Sequence, residues 1–142
     1  MLKNISPLLT PDLLKALCEM GHGDEIVIAD GNFPACSVNK KVLRLDGHGG
    51  AELLEAILSV IPLDSYAEQN AMLMEVVKGD EVETPIWDEY AEILRRAEGD
   101  NVKLGTLERF AFYERAKSAY AVVATSESAL YANLIIKKGV IK

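Results

Sequence analysis

Apolar residues along this chain recur at two spacings, and the changes between them mark out the elements. Leu13, Leu14, Leu17 and Met20 repeat at the three-to-four-residue interval of one helix face. Thr10-Pro11-Asp12 ahead of them offers a hydroxyl cap, a first-turn proline and a carboxylate near the positive end of the helix dipole. Gly21 stops the run, and Glu25 to Ala29 reads as a strand, apolar on both faces at Ile26, Val27 and Ile28. A second strand is predicted at Lys41 to Leu45. After Asp46-Gly47-His48-Gly49-Gly50, a helix carries Leu53, Leu54, Ile57, Leu58 and Ile61 as far as Pro62.

Ala71 to Val77 reads as the next strand. Thr84-Pro85 opens a helix with Ile86, Trp87, Tyr90, Ile93 and Leu94 on one side and Asp88, Glu89, Glu92, Arg95 and Arg96 on a solvated other. Val102 to Leu104 is read as a short strand, Glu108 to Ala119 as a helix and Tyr120 to Ala124 as a strand. A brief helical turn over Ser126 to Tyr131 and a last strand over Asn133 to Lys137 complete the pattern. Strands alternating with helices, with no repeat or linker, predict one α/β domain over residues 1–142, its sheet largely parallel and flanked by helices.

Composition narrows the classes of partner. The chain has 142 residues, 49% apolar and 26% charged, enough to bury a sizeable core. Its 15 Lys and Arg against 22 Asp and Glu leave a net charge of −7, which argues against nucleic acid and anionic membranes as partners. No apolar run approaches membrane-spanning length, and Met1 to Pro7 lacks a hydrophobic signal core, so a cytoplasmic location is expected. Cys18 and Cys36 form no CxxC pattern, and Cys18 is expected to be a buried thiol.

Candidate chemistry gathers around Met20-Gly21-His22-Gly23-Asp24 and the carboxylate, Asp30, that closes the following strand. A titratable imidazole and a carboxylate bracketing one strand make a candidate acid/base pair, with Asp24 close enough in sequence to orient the ring. His48 fits a strand-to-helix turn better than a phosphate cradle, since neither GK[ST] nor GxGxxG is present. No zinc constellation and no GxSxG elbow can be assembled, so no metal site is expected. In Arg109-Phe110-Ala111-Phe112-Tyr113-Glu114-Arg115 the aromatics read as core. Arg109, at a helix start where the dipole does not favour it, invites an outside partner. Tyr131-Ala132-Asn133 offers a phenol and an amide that suit a polyol, or equally a strand cap. Trp87 and Tyr90 fit either core packing or a cover for the apolar face of a sugar. Lys137 to Lys142 keeps apolar side chains near the terminus, for a contact with another copy or a fold-back on the domain.

Several blocks, taken in order, resemble the family of L-fucose mutarotases and D-ribose pyranases. They are Ser6-Pro7-Leu8-Leu9, Glu19 to Asp24, Asp30 with Asn32-Phe33-Pro34-Ala35, Leu63-Asp64-Ser65-Tyr66, Trp87-Asp88-Glu89-Tyr90, Arg109 to Ala116, and Asn133 to Val140. The Arg-Phe-x-Phe-Tyr-Glu-Arg block and the Lys-Lys-Gly-Val ending resemble the fucose branch. The resemblance implies a ribose pyranase-like fold and a cofactor-free isomerase that interconverts the α and β anomers of L-fucose. Ribose pyranase or dual activity is the alternative and, outside the enzymes, a sugar-binding regulator. It implies His22 as catalytic acid/base and Asp30, Arg109, Tyr131, Ala132 and Asn133 as sugar-binding residues, with Ala132 standing where a glycine is expected and its methyl narrowing the site. It also implies a ring-shaped homo-oligomer, a decamer, with pockets near subunit contacts.

Overall fold

The computed structural model describes residues 1–142. Its strands are β1 (Glu25–Ala29), β2 (Val42–Leu45), β3 (Ala71–Met74), β4 (Leu104–Leu107), β5 (Ala121–Thr125) and β6 (Leu134–Lys137). Its helices are α1 (Pro11–Glu19), α2 (Ala35–Val38), α3 (Gly50–Leu58), α4 (Pro85–Glu98) and α5 (Arg109–Ser118). The strands form one sheet in the order β2-β5-β1-β6-β3-β4. Only β6 runs against its neighbours, pairing antiparallel with β1 and β3, so the sheet is largely parallel as the alternation of elements predicts.

The alternation of side chains along a strand divides the core in two. Ile26 and Ile28 face a layer built from Leu13 and Leu17 of α1, Leu53, Leu54 and Ile57 of α3, and Ile86, Tyr90 and Leu94 of α4. Val27 and Ala29 face Ala35 of α2 and Phe112 and Ala116 of α5. A central strand covered on both sides must be apolar throughout, which is why β1 shows no polar face. Arg115 fastens α5 to the start of β1 with two hydrogen bonds to Glu25, at 2.7 and 3.0 Å.

Departures from the predicted pattern have local causes. The third strand ends at Met74 rather than Val77, and beyond it the Glu75 N–H still bonds the Leu107 carbonyl at 2.8 Å as the chain leaves the sheet. The strand expected at Val102 to Leu104 lies at Leu104–Leu107, because Gly99–Asn101 forms a 3₁₀ turn that delays it. Ser126 to Tyr131 is not helical: the Glu127 N–H donates to Thr125 Oγ1 and the Ala129 N–H to Glu127 Oε1, side-chain bonds that compete with a helix. α2, which follows Pro34, is a short helix that the apolar pattern does not predict. Cys18 is exposed, not buried, because the buried stripe of α1 is Leu13, Ala16 and Leu17, and the next position turns to solvent. Phe110 is likewise exposed, while Phe112 is fully buried.

Candidate active site

Five of the six sheet strands run in one direction, and ligand sites in such sheets form outside their carboxyl ends. A cavity of about 290 Å³ opens there, at the small end of ligand sites. Asp30 enters it from the end of β1, Met74 from the end of β3, Arg109 from the start of α5, and Tyr131 and Asn133 from the approach to β6. Asn32, Phe33, Val77, Asp80, Tyr113 and Leu130 complete the lining.

Asp30 is buried, and donors hold it in place. Its Oδ1 accepts from the Asn32 N–H at 3.0 Å, and its Oδ2 accepts from Asn133 Nδ2 at 3.0 Å and the Ala132 N–H at 3.3 Å. Asn133 Oδ1 in turn accepts from the Asp30 N–H at 2.8 Å, so the two residues clasp each other across β1 and β6. Burial pushes the Asp30 carboxyl above its ordinary range, against the N–H groups of Asn32, Ala132 and Phe33 and the Asn133 amide, which pull it down. Ala132 does not line the cavity. Its side chain packs in the core on the α1, α3 and α4 side, so the methyl does not narrow the site, contrary to expectation, and the residue acts through its backbone N–H.

Tyr131 is held at φ 55°, a left-handed conformation uncommon for a tyrosine. Two neighbours fix it: Trp87 Nε1 donates to its carbonyl at 2.8 Å, and its hydroxyl donates to Asp80 Oδ2 at 2.6 Å. That bond to Asp80, with burial, pushes the Tyr131 phenol above its ordinary value. The proton therefore stays on the phenol. Arg109 has one hydrogen bond, Nε to the Tyr113 hydroxyl at 3.2 Å, and lies over the Phe110 and Tyr113 rings at 5.6 and 5.5 Å. Its terminal amino groups make no hydrogen bond within the chain, and the residue borders the cavity. Tyr113, expected in the core, is half-buried against it and also lines the cavity. Trp87 and Tyr90 do not line it: Tyr90 is buried and donates to the Ala132 carbonyl at 3.1 Å.

His22 lies elsewhere. It precedes β1 while Asp30 follows it, so the five residues of β1, about 16 Å at about 3.3 Å per residue, stand between them. Lys138 caps the end of α1, its ammonium donating to the Leu17 and Met20 carbonyls at 2.8 and 2.6 Å. Asp24 Oδ2 accepts from the Gly21 N–H at 2.7 Å and so folds the turn; it does not orient the imidazole as expected. That position belongs to Asp64, whose Oδ1 lies 3.0 Å from His22 Nε2 and accepts from the Tyr66 N–H, also at 3.0 Å. Burial pushes the Asp64 carboxyl up, but the Tyr66 N–H, His22 and the charge of Lys137 outweigh it and leave the group below its ordinary value.

Asp80 and Asp64 are two carboxylates that the sequence does not mark as site residues, and Asn32, Phe33, Met74, Val77, Tyr113 and Leu130 of the lining are likewise unmarked. Lys78-Gly79-Asp80 reads only as a turn and Leu63 to Tyr66 only as part of a resemblance, because their partners lie 51 and 42 residues away. No three His, Cys, Asp or Glu side chains converge as a metal site, and no helix is long and apolar enough to cross a membrane.

Fold and cavity together define an α/β protein with a small cavity at the carboxyl ends of its strands, where Asp30, Arg109, Tyr131 and Asn133 stand among apolar side chains. Residues 3–141 match the RbsD / FucU transport protein family, and the chain belongs to that family. The fucose mutarotase of Homo sapiens is 55% identical over 99% of this chain and 94% of its own length. The L-fucose mutarotase of Actinobacillus pleuropneumoniae serotype 5b is 49% identical over 99% of this chain and 97% of its own. The crystal structure of the fucose mutarotase of Streptococcus pneumoniae in complex with L-fucose superposes with a TM-score of 0.94, at 49% identity over 99% of this chain and 100% of that one. The Bacillus subtilis RbsD structure, at 24% identity and a TM-score of 0.74, shares the fold.

Proposed function

We propose that this protein is an L-fucose mutarotase, an isomerase that interconverts the α and β anomers of L-fucose. The observation that carries the reading is the cavity itself, where Asp30, Arg109, Tyr131 and Asn133 converge in a chain closely similar to proteins named for that activity. The reaction needs only proton movement. A base takes the O1 proton and an acid protonates the ring oxygen as the bond from C1 to that oxygen breaks. The open aldehyde rotates about C1–C2, and the ring oxygen attacks the other face of C1 while the protons return. Histidine suits such transfer because its ordinary pKa of about 6.5 keeps both forms accessible near neutrality. Arg109, always protonated, serves as a donor to sugar oxygens, and Asp30 as an acceptor.

One chain cannot bring His22 to its own cavity, because β1 separates them. The reading therefore has two copies compose one site, the His22 surface of one meeting the cavity mouth of the next. Both surfaces suit such a contact: Val77, Phe110 and Leu130 are exposed near the cavity, and Tyr66, Val140 and Ile141 toward the His22 end. A head-to-tail contact between unlike surfaces gives a ring when its rotation closes, and the assembly proposed here is such a ring.

The test is anomer exchange of L-fucose by NMR saturation transfer. Catalytic amounts of protein accelerate exchange, and His22→Ala removes about 10²-fold or more of that rate with circular dichroism unchanged. A protein that acts only stoichiometrically is a binder, and an unimpaired His22→Ala variant ends the assignment.

A further inference from the structure

We infer that Trp87 is a positioning residue for the sugar site: its indole N–H fixes the peptide between Tyr131 and Ala132 and, through it, two groups that border the cavity. The inference rests on the sugar-binding roles proposed for Tyr131 and Asp30. Apart from glycines, only Asn4 and Tyr131 have a positive φ, and at 55° Tyr131 carries a large side chain in a backbone region that suits glycine or asparagine. A residue keeps such a conformation where its surroundings over-determine it. The Tyr131 carbonyl accepts from Trp87 Nε1 at 2.8 Å, and the N–H of the same peptide, on Ala132, donates to Asp30 Oδ2 at 3.3 Å. Rotating that peptide would break both bonds together. The next carbonyl, on Ala132, accepts from the Tyr90 hydroxyl at 3.1 Å.

Trp87 and Tyr90 lie three residues apart on α4, hence on one face, and they take consecutive carbonyls on the approach to β6. An indole nitrogen only donates and a carbonyl only accepts, so the direction of the Trp87 bond is unambiguous. The ring is half-buried and packs against the same core as Ile86, Tyr90, Ile93 and Leu94, which gives the donor a fixed seat. The segment leading into α4 holds the other end of Tyr131. There the phenol donates to Asp80 Oδ2 at 2.6 Å and accepts from the Val77 N–H at 3.4 Å. The connection from β3 to α4 thus grips Tyr131 at its carbonyl and at its hydroxyl. Without the indole bond, only the longer bond to Asp30 opposes rotation of the peptide, and the left-handed backbone is free to relax. That relaxation moves the phenol and withdraws the Ala132 N–H from Asp30. Trp87 itself does not line the cavity, so its effect on the sugar passes through that peptide.

Trp87 is the sole tryptophan of the chain, so replacing it with 3-benzothienylalanine, in which sulfur stands where the indole N–H was, removes one donor and keeps the ring. Saturation transfer on the assembled protein gives kcat/KM for L-fucose, and crystal structures give φ at residue 131. The replacement lowers kcat/KM about two- to tenfold, the effect of one net hydrogen bond, and Trp87→Phe lowers it at least as far. In both, φ at residue 131 leaves its value of 55°. Ile93→Val, a core change on the same helix, lowers the urea midpoint but leaves kcat/KM within about twofold of the unaltered protein. In a Tyr131→Phe background the benzothienyl replacement lowers kcat/KM by a smaller factor than it does alone, since part of its effect passes through the phenol. An unchanged kcat/KM in the benzothienyl protein overturns the inference, and so does a φ that stays near 55° in both Trp87 variants. An equal loss in Ile93→Val, or an undiminished factor in the Tyr131→Phe background, overturns it as well. Should the unaltered protein fail to accelerate anomer exchange at all, the proposed function falls, and φ at residue 131 alone decides whether Trp87 holds that peptide.

Discussion

Tyr131 has one proton, and Asp80 takes its hydrogen bond. Toward the cavity the phenol oxygen can therefore only accept, which matches it to a sugar hydroxyl and not to a sugar ring oxygen. Tyr131→Phe removes the bond to the sugar together with the bond to Asp80 and the longer one from the Val77 N–H, so KM for L-fucose rises by no less than the roughly two- to tenfold that about 0.5–1.5 kcal/mol for one bond corresponds to. Exchange rates measured across sugar concentration report it, and an unchanged KM would show that the phenol does not touch the sugar. Asp80→Ala leaves the phenol in place but frees its proton and releases the segment after β3. It raises KM as well, whereas a change at a merely exposed aspartate would not. Polar groups at strand ends such as Asp30 and Asn133 are legible in sequence because an apolar run stops at them. The partners that aim them are not, since neither Asp64 nor Asp80 lies near its partner along the chain.

Elements were legible where burial dictates them. β1 and β5 are buried over nearly their whole length, so their residues have little freedom, and the predicted spans differ from the observed ones by at most one residue at either end. The segments after β3 and β5 were not legible: the Glu75 N–H reaches the distant Leu107 carbonyl, and side-chain bonds at Thr125 and Glu127 replace the expected helical turn. Gly50 shows how packing between elements reaches the site. It opens α3 against Tyr90 of α4, and a Cβ there would overlap the Tyr90 hydroxyl. That hydroxyl bonds the Ala132 carbonyl, and the Ala132 N–H bonds Asp30. Gly50→Ala is expected to cost about 1–3 kcal/mol by overpacking and to lower the urea midpoint accordingly. Tyr90→Phe in the same chain removes the overlapping oxygen and recovers part of the loss, a coupling that a double-mutant cycle measures. Strict additivity would mean that α3 shifts to accommodate the methyl.

At the scale of the whole molecule, the separation of His22 from the cavity makes a prediction that no single-chain site could satisfy. His22→Ala and Arg109→Ala are each expected to be inactive, yet each keeps the half-site the other lacks. Dissociated, mixed in equal amounts and reassembled, they form sites in which an intact His22 surface faces an intact cavity. Random mixing restores about a quarter of the sites in a head-to-tail ring. Saturation transfer on the mixture reads the recovery directly. No recovery, in mixtures shown by mass spectrometry to contain both chains, would place His22 and the cavity of the same protomer together and overturn the shared site.

β6 gives this arrangement a further property. Asn133, just before its first residue, clasps Asp30, and Lys138, just after its last, braces the loop of His22. Each protomer of the proposed ring thus serves two sites through one four-residue strand. A lesion at either end of β6 silences one site per altered chain. A lesion that shifts the strand itself silences two. In a cell expressing altered and unaltered copies together, the second kind would be dominant, removing activity out of proportion to its abundance, while the first would only dilute it.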